Sequence, residues 1–221
     1  MTRNDPTASP RPAADNTGWG AGIADPGPLG LAAFALTTFV LSVFNSGMIK
    51  TGDGVVLGLA LAYGGLAQLL AGMWEFTKGN TFGATAFASF GAFWISFWWL
   101  IEHVATYAKG SAGNDFNHAL GVYLLAWAIF TAYMTVASLR VSGAVAAVFV
   151  FLTLTFLFLA IGKLTQSATA TDSTGLYKFG GWLGLITALL AWYASFAGVV
   201  NSTFKRVVLP VMPLTEGRTK R

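Results

Sequence analysis

The ionisable side chains stand at the ends of long apolar stretches and leave the middles bare: Glu75 and Lys78, Glu102 and His103, and Lys163 each close such a stretch. A retinal Schiff base needs a lysine in mid-span, and a haem or redox pump needs histidines there. Neither pattern occurs, and His118, one of only 2 histidines, begins an apolar stretch rather than interrupting it. With 0 cysteines there is no thiolate ligand or thiol nucleophile. The run Gly79-Asn80-Thr81-Phe82-Gly83 lacks the Lys and Ser/Thr of a phosphate loop. The expectation is therefore no catalytic set, no metal and no cofactor, and a protein that is not an enzyme.

The polar groups inside the apolar stretches are neutral: Thr37, Thr38, Asn45, Tyr63, Gln68, Thr85, Ser89, Thr153 and Thr155. Most membrane Ser and Thr hydroxyls bond back to their own helix. Asn45 and Gln68 cost more to bury, which makes them the better candidates for contact with a solute. A passage lined this way suits a small solute that is neutral or carries one weak charge, since no buried cation traps an anion. The aromatic residues Phe34, Phe82, Phe90, Phe93 and Trp94 are candidates to narrow it, against the plainer reading of core packing.

The elements that must position these groups follow from composition. The chain has 221 residues, 55% hydrophobic and 10% charged, with Lys+Arg 13 against Asp+Glu 9. A helix needs about 20 apolar residues to cross a bilayer, and six non-overlapping stretches meet that length. The fold class is an all-α integral membrane protein with six transmembrane helices; the ~10-residue alternating strands of a barrel are absent. The spans are predicted at 28–48, 54–74, 82–101, 118–139, 141–161 and 179–200, within a transmembrane domain over 28–202. Residues 1–27, rich in Pro and small polar residues, are read as a disordered N-terminal tail without a signal peptide, and 203–221 as a basic C-terminal tail.

An even number of spans puts both termini on one side. That side carries nine basic residues, Arg3, Arg11, Lys78, Arg140, Lys205, Arg206, Arg218, Lys220 and Arg221, against four opposite, Lys50, Lys109, Lys163 and Lys178. The bias places the termini in the cytoplasm, with Trp98, Trp99 and Tyr107 at the outer interface. The net charge of +4 is no nucleic-acid signal when its residues lie between spans. Small residues at Gly54, Gly58, Ala62 and Gly65, and again at Gly180 and Gly184, permit close helix approach, within one subunit in preference to between subunits.

Several strings carry a resemblance. Asp25-Pro26-Gly27-Pro28-Leu29-Gly30-Leu31 resembles the Asn-Pro-Ala-Pro-Leu-Gly-Leu signature of the acetate uptake transporter family, the succinate-acetate permeases. The match continues through Tyr63-Gly64-Gly65-Leu66-Ala67-Gln68, the stretch from Ala71 to Phe76, the stretch from Gly79 to Phe87, Ser89 to Trp94, Leu120 to Tyr123 and Gly180 to Gly184. The resemblance implies six helices around a central pore, a homohexamer in the plasma (inner) membrane, and passage of acetate and related small carboxylates, succinate among them.

It further implies a constriction at Phe34, Phe90 and Leu152 and an entrance motif including Asp25, Pro26, Pro28, Leu29 and Gly30. Leu29 then joins Thr37, Asn45, Gln68, Thr85 and Ser89 as a solute-contacting residue. Asp25 stands where the signature has Asn, and Phe90 where relatives often have Tyr, so this chain gains a negative charge at the entrance and loses a hydroxyl at the ring. Proton symport and anion-channel behaviour both fit, with Glu75, Glu102 and His103 as surface groups able to handle a proton. A channel for urea or short amides would use the same neutral lining, and a membrane scaffold without transport would use only the small-residue faces.

Overall fold

The computed structural model describes residues 22–105, 111–167 and 173–214. Arg3, Arg11, Lys109, Arg218, Lys220, Arg221 and Tyr107, with the first 21 residues of the N-terminal segment, lie outside them. Among the described residues six helices are long and apolar enough to cross a membrane. They are α1 (Gly27–Asn45), α2 (Val55–Thr77), α3 (Thr81–Val104), α4 (Ser111–Ser138), α5 (Gly143–Leu164) and α6 (Gly175–Phe204).

Their ends follow capping chemistry. Asn80, Ser142 and Thr174 accept hydrogen bonds from the backbone N–H of Gly83, Val145 and Tyr177 and so start α3, α5 and α6. The Thr174 cap starts α6 earlier than hydropathy suggests, and its end at Phe204 is also later, so the helix outruns the predicted 179–200. At the end of α1 the chain turns through Gly47, whose φ of 79° closes the helix before Met48. Two stretches depart from α geometry: Ala62–Ala67 within α2 and Leu100–Val104 at the end of α3 are π-helical. An extra residue per turn rotates the side chains that follow, a device frequent at functional sites.

The helices form a ring in which α6 packs on α1 and α5, α5 on α4, α1 on α2, and α2 on α3. Small residues decide where backbones touch. Gly72 lies against Ala88, Gly91 against Leu69, Gly162 against Tyr177 and Gly180 against Leu159. The small-residue stripe of α2 divides: Gly65 packs within the subunit against Ile95, whereas a Cβ at Gly54 or Gly58 would meet nothing within 4 Å. For those two glycines the expectation of helix packing inside one subunit is corrected: Gly58 is exposed on α2, and Gly54, just before the helix, borders a cavity.

Between α3 and α4 the backbones stay apart and rings fill the gap. Phe90 of α3 stands 5.9 Å from Trp127 and 5.5 Å from Phe130 on α4. Aromatic spacers at this seam, against glycine contacts elsewhere, leave the interior cavities described below.

Past Lys205 the chain folds back. Asn201 Nδ2 donates to the Leu209 carbonyl (2.8 Å), while its Oδ1 accepts from Val208 N–H (2.7 Å) and Leu209 N–H (3.0 Å). Tyr193 Oη donates to Pro210 O (2.6 Å), and Met212 O receives the Gly143 N–H at 2.7 Å, satisfying a donor in the first turn of α5. Asn201→Ala removes three of these bonds. It is expected to cost about 1–3 kcal/mol, seen as a lower unfolding temperature in detergent with solute flux per folded molecule unchanged. An unaltered transition would show that the tail contributes nothing to stability.

Candidate functional site

Three cavities follow one another through the subunit. The widest, about 310 Å³, is a vestibule where the α1–α2 loop meets the C-terminal ends of α3 and α5, lined among others by Asn45, Lys50, Asp53, Lys163 and Tyr177. Below it a chamber of about 40 Å³ is lined by residues including Thr38, Asn45, Trp94, Leu152, Thr155 and Tyr177. The third, about 20 Å³, lies toward the N-terminal end of α1 and includes Leu31, Phe34, Gln68, Phe90 and Leu152. One water needs about 10–15 Å³ on this scale, so the chamber admits a few water-sized groups and the last cavity about one.

Phe34 and Leu152 line both smaller cavities and therefore stand between them; Phe90 completes the wall from α3, its ring 5.7 Å from Phe34. All three are buried. Phe90 is also the centre of an aromatic cluster, stacked at 6.4 Å on Phe156 and 6.1 Å from Phe149.

Three buried polar atoms have no hydrogen-bond partner among the described residues: Thr38 Oγ1, Trp94 Nε1 and Gln68 Oε1. Thr38 and Trp94 line the chamber, and Gln68, 1% exposed, lines the cavity beyond the Phe34–Leu152 wall. Buried polar groups in proteins are almost always partnered, so these three atoms, each on a residue that lines a cavity, are open to a hydrogen bond from a molecule that enters it.

At the junction of vestibule and chamber, Tyr177 Oη donates to Asn45 Oδ1 (3.1 Å). The Lys163 ammonium lies 4.8 Å from the centre of the Tyr177 ring and donates to Gln166 Oε1 (2.9 Å) and Asn117 Oδ1 (3.5 Å). Among the described lining residues, Lys50 and Lys163 outnumber Asp53 by one.

Of the solute-contacting residues expected from sequence, the structure brings Asn45 and Gln68 to cavities. Thr37 is buried elsewhere, donating to the Ala33 carbonyl (2.9 Å) and packed on Gly64 of the π-helical stretch. Thr85 and Ser89 are half-buried on α3, and Leu29 is 46% exposed in the first turn of α1; none of the four lines these cavities. Helix rotation is the reason: adjacent positions on one span, such as Thr37 and Thr38, point in different directions, while positions four apart, such as Thr85 and Ser89, share a face. Thr153 pairs with Thr135 of α4 at 2.9 Å, and Thr155, though in the chamber wall, donates to the Phe151 carbonyl at 2.8 Å.

The entrance motif is fastened rather than free. Asp25 Oδ1 accepts the Gly27 N–H (3.2 Å) and stands 3.7 Å from Lys78 Nζ, so the added charge at this position is paired. Pro26 and Gly30 are buried, Gly30 against the ring of Phe87, and the Pro28 carbonyl accepts from Ser195 Oγ of α6 at 2.7 Å.

Glu75 corrects the expectation of a surface carboxylate: it is 2% exposed, and its Oε2 accepts from Asn80 Nδ2 at 2.8 Å. A Cβ on Gly27 would come within 3.5 Å of its other oxygen, so the side chain is enclosed where α1, α2 and α3 meet. Glu102 and His103 are exposed as expected. Sequence reasoning passed over Tyr177 and the vestibule role of Lys163, and treated Trp94 only as bulk. The single available signal was that an indole carries a donor that burial leaves in need of a partner.

The profile of the GPR1/FUN34/yaaH family matches residues 14–216. Acetate permease A of Emericella nidulans is 43% identical over 196 residues, covering 86% of this chain and 66% of the relative. Ammonia transport outward protein 2 of Saccharomyces cerevisiae is 45% identical over 186 residues, 81% of this chain and 62% of the relative. The succinate-acetate/proton symporter SatP of Escherichia coli is 39% identical over 189 residues, 86% of this chain and 95% of the relative. The chain thus spans about two thirds of the length of these fungal relatives and almost all of the bacterial one. The solved structure of the bacterial acetate channel SatP superposes with a TM-score of 0.76 at 38% identity, covering 86% of this chain and 99% of the other.

Proposed function

This chain belongs to the GPR1/FUN34/yaaH family, and we propose that it carries acetate and related small carboxylates, succinate among them, across the plasma membrane. The observation that carries the reading is the series of cavities with unpartnered polar atoms on both sides of a wall made by Phe34 and Leu152. The names of the relatives, acetate permease and succinate-acetate/proton symporter, give the solute class.

In this reading the vestibule concentrates anions through Lys50 and Lys163. Asn45 and Tyr177 receive the solute at the mouth of the chamber, where Thr38 and the Trp94 N–H bind it. Phe34, Phe90 and Leu152 form the constriction, and Gln68 receives the solute beyond. Asp25, Pro26, Pro28 and Gly30 act by holding the start of α1 against α6 and the α2–α3 turn, not by touching the solute.

We place both termini in the cytoplasm on the nine-to-four distribution of basic residues and propose a homohexamer. Support for assembly is the outward face of α2, where Gly58 leaves room for a second helix beside exposed Leu61, Leu66 and Leu70. Native mass spectrometry in mild detergent should give six copies; monomers alone would overturn that assembly.

The test of function is uptake by purified protein in liposomes of labelled acetate, urea and ammonia. Acetate should exceed the protein-free background and the other two should not. Urea or ammonia moving in preference would reassign the protein to neutral solutes, a reading that the neutral lining and the ammonia transport relative keep in view. No flux of any solute through folded protein would favour a scaffold.

A further inference from the structure

We propose that Lys163 makes this protein favour short dicarboxylates: its ammonium binds the second carboxylate of a four-carbon dicarboxylate such as succinate while the first sits on Tyr177 and Asn45. The inference rests on the carboxylate reading above and deepens it by naming a specificity-determining side chain.

The charge of Lys163 is held in place and left without a counter-charge. Its Nζ donates to Gln166 Oε1 (2.9 Å) and Asn117 Oδ1 (3.5 Å), both neutral, and stands 4.8 Å from the centre of the Tyr177 ring. Among the described residues no carboxylate forms an ion pair with it, whereas Lys78 is paired with Asp25. An ammonium has three donors, so two neutral acceptors leave one over. Half-buried in a cavity wall, this group gains more from an anion than a lysine in open water does.

The second anchor holds whichever way the Asn45 amide is drawn. Tyr177 Oη and the Asn45 side chain are 3.1 Å apart, and both residues line the vestibule and the chamber. If the phenol donates to the amide oxygen, the amide N–H groups are not spent on that bond; if the amide is turned and donates to the phenol, the phenol O–H is not spent. In either arrangement the pair keeps a donor for a carboxylate.

The Tyr177 ring joins the two anchors. Lys163 stands over the ring and Oη lies at its edge, so the anchors are separated by no more than 4.8 Å plus the reach from ring centre to hydroxyl. A four-carbon dicarboxylate bridges that span; acetate meets one anchor at a time. Room decides which end goes where. The chamber holds about 40 Å³ and the vestibule about 310 Å³, so a dicarboxylate with one end at the chamber mouth keeps the other in the vestibule, on the side of Lys163. Lys50, also in the vestibule wall, is exposed and has no such tie to the Tyr177 ring.

The experiment uses the full chain in liposomes and measures the concentration of unlabelled competitor that halves uptake of labelled acetate, at about pH 7.5, where such carboxyls are ionised. Competition reads recognition at the vestibule whether or not the competitor passes the constriction. Succinate should halve uptake at roughly one tenth of the concentration needed for succinamate, the half-amide of equal length that lacks the second charge. Lys163→Gln should bring the two competitors within about twofold of each other, while Lys163→Arg, which keeps the charge, should preserve the preference. Lys50→Gln removes the same charge from the same vestibule at an exposed, screened position, and should change the ratio by less than about twofold.

Succinate and succinamate competing equally in the unaltered protein would overturn the proposal, and so would a preference that survives in Lys163→Gln. A preference lost equally in Lys50→Gln would reduce Lys163 to a share of the general field and overturn its assignment. Should Lys163→Gln fail to fold, Lys163→Met, which keeps an apolar stem over the Tyr177 ring, takes its place. In each of these outcomes acetate uptake itself remains, and the carboxylate reading with it. Absence of acetate uptake by folded protein would remove that reading and this inference together.

Discussion

Leu152→Ala is expected to raise the ratio of succinate to acetate flux on the order of tenfold, the size of discrimination that small changes in an apolar pocket produce. Leu152 is buried and lines both smaller cavities, so shortening it joins a space of about 40 Å³ to one of about 20 Å³. The change removes a steric barrier and no binding group. Phe34 and Phe90 remain, 5.7 Å apart, so acetate should still pass. If Leu152 were only core, the same substitution would open a cavity and cost roughly 2–5 kcal/mol without altering selectivity. Flux ratios normalised to folded protein in the membrane separate the two. A ratio unchanged in well-folded protein would take Leu152 out of the constriction.

Gly181→Val should abolish recovery of folded protein. A Cβ at Gly181 would stand 2.5 Å from the Asn45 carbonyl carbon and 2.7 Å from the Ser46 Cα, and backbone cannot rotate away as a side-chain tip can. Overpacking in cores costs about 1–3 kcal/mol where neighbours can adjust, and here α1 and α6 must separate, so the loss should exceed that range. The displacement would also carry Asn45 away from Tyr177, with which it shares the 3.1 Å hydrogen bond between vestibule and chamber. Gly58→Val is the comparison, since nothing lies within 4 Å of a Cβ there and the subunit should fold normally. Monodisperse yield and helical content in detergent measure both. Recovery of Gly181→Val at normal levels would mean that α1 and α6 tolerate a wider gap than the structure has.

The contrast between these two glycines marks what sequence can say about packing. Gly58 and Gly180 look alike as small residues in an apolar span. Gly180 meets Leu159 of α5 and Gly181 meets the end of α1, while nothing lies within 4 Å of a Cβ at Gly58. The same holds for Thr37 and Thr38, adjacent and chemically identical. Thr37 bonds to its own helix against Gly64, and Thr38 enters the chamber with its hydroxyl unpartnered. Glu75 looked like a surface carboxylate because it falls at the end of a hydrophobic run. The Asn80 amide, five residues on across the α2–α3 turn, holds it, and the close approach of α1, distant in sequence, encloses it.

By itself the sequence determined six helices long and apolar enough to span a membrane, the absence of charge from their middles, and the family. These follow from span length and from strings that need no spatial information. Only the tertiary structure decided which neutral polar groups line the cavities, because the usual guide is lost in a bilayer. A helix in water shows its buried face by a stripe of apolar residues. A helix between lipid and protein is apolar on both sides, so hydropathy gives its length but not its rotation. The π-helical stretch of α2 just before Gln68 adds a further turn of the helix face that no composition encodes. Rotation separates Gln68 and Thr38, which line the cavities, from Thr85 and Ser89, which do not, and it is set by glycine contacts and aromatic spacers between helices.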